Sequence, residues 1–197
     1  MDVIKPYRWY DKQEIEKIAT ELRLQIQNKR QKRLKAKYVA EAAADYLDLG
    51  IVWESLPVDS EGEIAAMIIP TEKEIVINDR IPALKEGFGQ STIAHEIGHW
   101  MLHINHQAIE EFKDRIDRGI EIETKPFLCR SSTSLKGMEW QAQYFASCLL
   151  MPVSLLEEEI KGRDLTNWKH LYAIADEFGV TSSNLVNRLK SLDWIQQ

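Results

Sequence analysis

The sequence predicts an α+β protein built around a short mixed sheet. Apolar residues recur at helical spacing in segments toward both ends of the chain, while the β-rich runs are confined to residues 50–79. The resulting order of helices, short sheet, then helices lacks the alternation of strand and helix that builds a parallel βαβ sheet.

Each element has a local reason. Residues 11–28 carry Ile15, Ile18, Ala19, Leu22 and Ile26 on one helical face. Residues 38–48, YVAEAAADYLD, predict a second helix ending near Gly50. GIVWESLP reads as a strand closed by Pro57, and residues 63–79 as two β-rich runs turning through Pro70-Thr71-Glu72-Lys73. Residues 90–104 return to helical spacing with Ile93, Ala94, Ile97, Trp100, Met101 and Ile104. EEFKDRIDR reads as helix and GIEIETKPFLCRSSTS as extended chain or loop. MEWQAQYFASCLL, residues 138–150, predicts an apolar helix stopped before Pro152. The tail reads as helix, tight turn at Gly179, helix, with Thr181 or Ser182 as the second cap.

Composition narrows the function. The chain has 197 residues, a net charge of −6 and no apolar run near the ~20 residues that span a bilayer. The N-terminus lacks an apolar signal segment, and Cys129 and Cys148 do not make a disulfide framework, so a reducing cytoplasm is expected. The acidity gives no general attraction to nucleic acid or anionic membranes. Lys29, Arg30, Lys32, Arg33, Lys35 and Lys37 form a local basic run, read as a solvated face or linker.

The chemistry concentrates in TIAHEIGHWM. His95 and His99 stand four apart, one helical turn, so both imidazoles can reach one ion at about 2.0–2.1 Å. Glu96 is rotated about 100° from His95 on a helix of 3.6 residues per turn. That places it outside the ligand set, yet near the water an ion would hold, where a carboxylate serves as general base. An idle glutamate in such an apolar helix would be costly. Gly98 costs roughly 1 kcal/mol against alanine, which predicts close approach of another backbone. His103 lies too far along the axis to join both ligands, and His106 and His170 read as surface residues.

Catalytic zinc takes a third protein ligand and leaves one position open. The HExxHxxGxxH extension fails, because Leu102 and Asn105 occupy the required Gly and His positions. Glu110, Glu111, Glu121 and Glu123 are available in charged or irregular sequence. Glu139 opens the apolar helix, where Ala142 and Ala146 would allow tight packing on the HEIGH helix, and it is the favoured third ligand. A carboxylate there also suits the helix dipole.

TIAHEIGHWMLH, EWQAQYFASCLLMP and LYAIADEFGVTSSNLVNRLKSL together resemble the ImmA/IrrE family of zinc metallopeptidases, over roughly residues 40–197. The resemblance implies a zincin-like fold with an HExxH active-site helix, a gluzincin-like site with His95, His99 and Glu139 on one Zn²⁺, and Glu96 as catalytic base. It also implies a protein substrate, a helix-turn-helix repressor cleaved to derepress genes, with the hairpin ending in EIVIND offering a strand edge to the peptide. Gln143 stands where the family often has Asn, and the forty residues from His99 to Glu139 are a long interval. Cys129 falls in that interval and reads as structural rather than as a zinc ligand; Cys148 reads as core. Tyr144 and His103 are the available oxyanion stabilisers.

The domain reading is an N-terminal helical extension over 1–36, a metallopeptidase core over 37–160 and a helix-turn-helix-like segment over 161–197. In that last segment Asn184, Asn187, Arg188 and Lys190 are positioned to meet DNA, but Asp176, Glu177 and Asp193 oppose it, and a structural or docking role is favoured. The alternative to the enzyme is a non-catalytic DNA- or repressor-binding regulator with a structural or empty metal site.

Overall fold

Asp11 starts the first helix reciprocally: its carboxylate accepts from the Glu14 N–H at 2.8 Å, while Glu14 accepts from the Asp11 N–H at 3.2 Å. In the computed structural model, which describes residues 3–56, 58–59, 62–82, 88–119 and 133–196, this cap opens α1 (Lys12–Lys29). Ile15, Ala19, Leu22 and Ile26 form its buried stripe, on the expected face. A short 3₁₀ turn, Ala36–Tyr38, leads into α2 (Val39–Leu47). That helix ends at Asp48, with φ of 59°, and not at Gly50. Aspartate tolerates the left-handed region, which frees Gly50 to begin a strand.

The sheet comprises β1 (Gly50–Glu54), β4 (Ala66–Ile69) and β5 (Glu74–Asn78), with a separate small hairpin of β2 (Val58–Asp59) and β3 (Gly62–Glu63). β4 and β5 form the expected antiparallel hairpin, Ile69 opposite Glu74. β1 pairs in parallel with β5, Gly50 opposite Glu74, so the order β1-β5-β4 is mixed. β5 is therefore central and both its faces are covered. Ile75 and Ile77 enter the main core, while Val76 joins Leu56 and Ile64 on the other side.

Six further helices follow among the described residues: α3 (Phe88–Leu102), α4 (His106–Asp117), α5 (Thr133–Leu150), α6 (Val153–Glu159), α7 (Trp168–Phe178) and α8 (Ser182–Ser191). α5 begins at Thr133, earlier than the apolar pattern predicts. The readings made for residues 120–132, including Glu121, Glu123 and Cys129, lie outside the described residues. One hydrophobic core runs from Ile15 in α1 through Phe145 in α5 to Leu189 in α8.

α7 ends at Gly179, whose φ is 63°, and Thr181 caps α8 by accepting from the Asn184 N–H at 3.1 Å. Two side chains offered above as DNA contacts turn inward. The Asn184 amide donates to Ser91 Oγ at 2.6 Å. Arg188 is fully buried and donates to both carboxylate oxygens of Glu16, at 2.7 and 2.8 Å, and to the Met151 carbonyl at 3.1 Å. In the basic run, Arg33 reaches Glu158 at 4.0 Å and Lys37 reaches Asp176 at 3.6 Å, exposed pairs of little energetic weight. Among the described residues no helix is long and apolar enough to cross a membrane.

Candidate metal centre

α3 and α5 meet backbone to backbone. A Cβ placed on Gly98 would lie 2.8 Å from the Ala142 carbonyl oxygen and 2.9 Å from its Cα. The glycine thus permits an approach that any side chain would prevent, as its cost in a helix implied. The contact sits beside His99 on α3 and one turn after Glu139 on α5.

Three side chains converge there. His95 Nε2 lies 3.1 Å from Glu139 Oε2, His99 Nε2 lies 3.4 Å from Glu139 Oε1, and the two Nε2 atoms are 3.0 Å apart. A tetrahedral zinc with bonds of about 2.05 Å needs donors about 3.3 Å apart. Two imidazole nitrogens and a carboxylate are also the donor types zinc accepts, so the residues fit the ion. Among the described residues this is the one grouping of three or more His, Cys, Asp or Glu side chains able to share a metal. Exposure is graded across it: the side chain of His99 is 2% exposed, His95 19% and Glu139 37%. Solvent therefore reaches the cluster from the Glu139 side.

Burial alone would raise the Glu139 pKa, but hydrogen bonds to His95 and His99 and their charge hold its carboxyl well below the usual range. Burial works to lower His95, yet the hydrogen bond to Glu139, the charges of Glu96 and Glu139 and a hydrogen bond to Gln143 outweigh it, and its pKa is raised. Gln143 is thus a partner of His95 even though asparagine does not stand there. Glu96 is buried, and burial first, with Glu139 adding, raises its pKa against the opposing pull of His95 and His99.

Other residues proposed from sequence lie elsewhere. Glu139 does not open its helix: it stands six residues after Thr133, so favouring the helix dipole is no reason for it. Glu110 reaches Lys73 at 3.9 Å, and Glu111 accepts from Gln107 at 3.0 Å. Tyr144 stacks on Trp140 at 5.4 Å, with its hydroxyl beside Arg188, Cys148 and Glu16; burial pushes it up to about 12. Its hydroxyl is turned to those three residues rather than to the cluster. His103 approaches His99 from its Nδ1 side, at 3.0 Å, away from the edge facing Glu139. Burial pushes His103 down to about 4, against the pull of its Gln141 hydrogen bond. His106 is exposed as expected, stacked on Trp100.

Gln141 was missed by sequence reasoning. It is fully buried, with its amide oxygen 3.0 Å from His103 Nε2 and its amide nitrogen donating to the Arg8 carbonyl at 3.0 Å. A polar residue inside an apolar helix, opposite histidines repeating at positions 95, 99 and 103, was the available signal.

A family model described as the IrrE N-terminal-like domain, Peptidase M78, matches residues 48–190. Comparison with curated proteins gives no match.

Proposed function

The chain belongs to the Peptidase M78 family, and from that premise we propose that it is a zinc-dependent endopeptidase acting on one regulatory protein, a helix-turn-helix transcriptional repressor. A metallopeptidase-type function follows from the family itself. The finer reading rests on one observation: the donor atoms of His95, His99 and Glu139 lie 3.0–3.4 Å apart, with Glu96 buried beside them.

His95, His99 and Glu139 would hold the ion as a three-ligand site open to water, unlike closed structural sites with four protein ligands. Bound zinc supplies Lewis acidity and brings the pKa of a water to about 7. Glu96 accepts the proton of the attacking water and returns it to the leaving amine, and its raised proton affinity suits both halves of that task. Gln143 and Glu139 orient His95. Within the hairpin ending in EIVIND, β5 is central and β4 is the edge strand, packed against α3. An extended peptide added to β4 would lie next to the helix that carries Glu96.

The repressor is carried by the resemblance of the HEIGH, EWQAQYFASCLLMP and C-terminal segments. The non-catalytic DNA-binding alternative is weakened by the inward commitment of Asn184 and Arg188. The test is Glu96→Gln in a coincubation of purified protein with a helix-turn-helix repressor that the wild type cleaves. The variant is expected to keep zinc and lose cleavage by about 10²–10⁴-fold. Cleavage at the wild-type rate would refute the mechanism.

A further inference from the structure

A chain of buried hydrogen bonds runs from His99 to the N-terminal segment. Beyond His99 Nδ1 lies His103 Nδ1 at 3.0 Å; beyond His103 Nε2 lies Gln141 Oε1 at 3.0 Å; and the Gln141 amide nitrogen donates to the Arg8 carbonyl at 3.0 Å. His99 and His103 are 2% exposed and Gln141 is not exposed at all.

The direction of every proton follows from one end. A backbone carbonyl only accepts, so Gln141 must present its nitrogen to Arg8 and its oxygen to His103. That oxygen also only accepts, so His103 carries its proton on Nε2 and leaves a lone pair on Nδ1. His99 then donates from Nδ1, and Nε2 is the nitrogen it turns toward His95 and Glu139. With the proton of Nδ1 held by His103, Nε2 is the atom that a metal at the cluster would take.

The Arg8 carbonyl is itself held in place. The Lys5 N–H donates to the His103 carbonyl at 2.8 Å, the Asn105 N–H donates to the Val3 carbonyl at 2.8 Å, and Trp9 stacks on Trp140 at 5.2 Å. Residues 3–9 therefore bridge the end of α3 and the face of α5, although they lie outside the matched residues 48–190.

We propose that the Arg8 carbonyl, Gln141 and His103 form a relay that fixes the His99 tautomer, making the N-terminal segment a positioning element of the metal centre. The proposal rests on the reading of His99 as a zinc ligand. Gln141 and His103 are positioning residues, and they need not touch substrate.

The test has two readouts on the full-length chain: zinc affinity by competition with a chromophoric chelator, and the His99 tautomer by ¹⁵N-histidine NMR of the metal-free protein. Gln141→Met keeps the size and removes both hydrogen bonds. It is expected to weaken zinc about 10–100-fold and to replace a His99 Nδ1 that always carries its proton by a mixture of protonated and unprotonated Nδ1. Gln141→Glu, which still accepts from His103, is expected to restore the tautomer. Trp9→Ala, which loosens the Arg8 anchor without touching the relay, is expected to move both readouts in the direction of Gln141→Met. If Gln141→Met does not fold, the other two variants decide. A wild-type protein that binds no zinc overturns the proposed function but leaves the tautomer readout to judge the relay. A folded Gln141→Met or Trp9→Ala with wild-type zinc affinity and one unchanged His99 tautomer overturns the relay.

Discussion

Gly98→Ala tests how closely the metal centre depends on one backbone contact. A new Cβ would stand 2.8 Å from the Ala142 carbonyl oxygen and 2.9 Å from its Cα, against an ordinary contact of 3.4–4 Å. The opposing atoms are backbone, so no side chain can swing aside; α3 and α5 must separate by about half an ångström or more at that point. Overpacking of this kind costs about 1–3 kcal/mol, and two helical backbones in contact put it near the upper end. Alanine returns about 1 kcal/mol of helix propensity, leaving a net loss of about 2 kcal/mol. In a chain of this size that lowers the melting temperature by roughly 4–8 °C. The same separation pulls His99 from Glu139, and metal sites tolerate only about 0.2 Å in their bond lengths, so zinc affinity falls as well. Thermal unfolding with and without zinc, together with chelator competition, reads both effects. Ala142→Gly should not rescue the variant, because the obstructing atoms are not the Ala142 methyl. A Gly98→Ala protein as stable as wild type with undiminished zinc affinity would refute the reasoning.

Two further outcomes follow from the interior. Arg188→Ala leaves Glu16 facing an emptied, buried site and is expected to cost about 3 kcal/mol in denaturant unfolding, the lower end for a broken buried pair because Glu16 is 25% exposed; replacing both residues by methionine should recover most of that loss. His103 has a folded pKa of about 4, below its ordinary value. The neutral form is therefore the one the fold favours, its stabilisation is complete above about pH 6.5 and is lost as pH falls toward 4, up to about 3 kcal/mol. Denaturant midpoints of the metal-free protein between pH 7 and 4 should fall more steeply in wild type than in His103→Gln, and parallel curves would refute the assignment.

What could be read from the residues was local. The four-residue step from His95 to His99 needs only helix geometry to put both on one face, and a glycine inside an apolar helix beside them is hard to explain without a close neighbour; Ala142 is that neighbour. The turn at Pro70–Lys73 is likewise written in adjacent residues. What escaped depends on distant pairing. Nothing in GIVWE says that it will lie parallel to EIVIN, which is why the central position of β5 went unforeseen. The start of α5 at Thr133 was hidden because its first turns lack the apolar stripe that marks the rest of the helix. Arg188 looked like a surface cation because its partner, Glu16, is far away in sequence. Gln141 gains its meaning only from His103 on one side and the Arg8 carbonyl on the other.

The most direct measurement is metal content by mass spectrometry on protein purified without chelators, wild type beside Glu139→Ala. About one zinc per wild-type chain, largely lost in the variant, is the result expected of a three-ligand site built from His95, His99 and Glu139. A wild-type protein that holds no zinc even after reconstitution, or a Glu139→Ala protein that keeps all of it, would contradict the account.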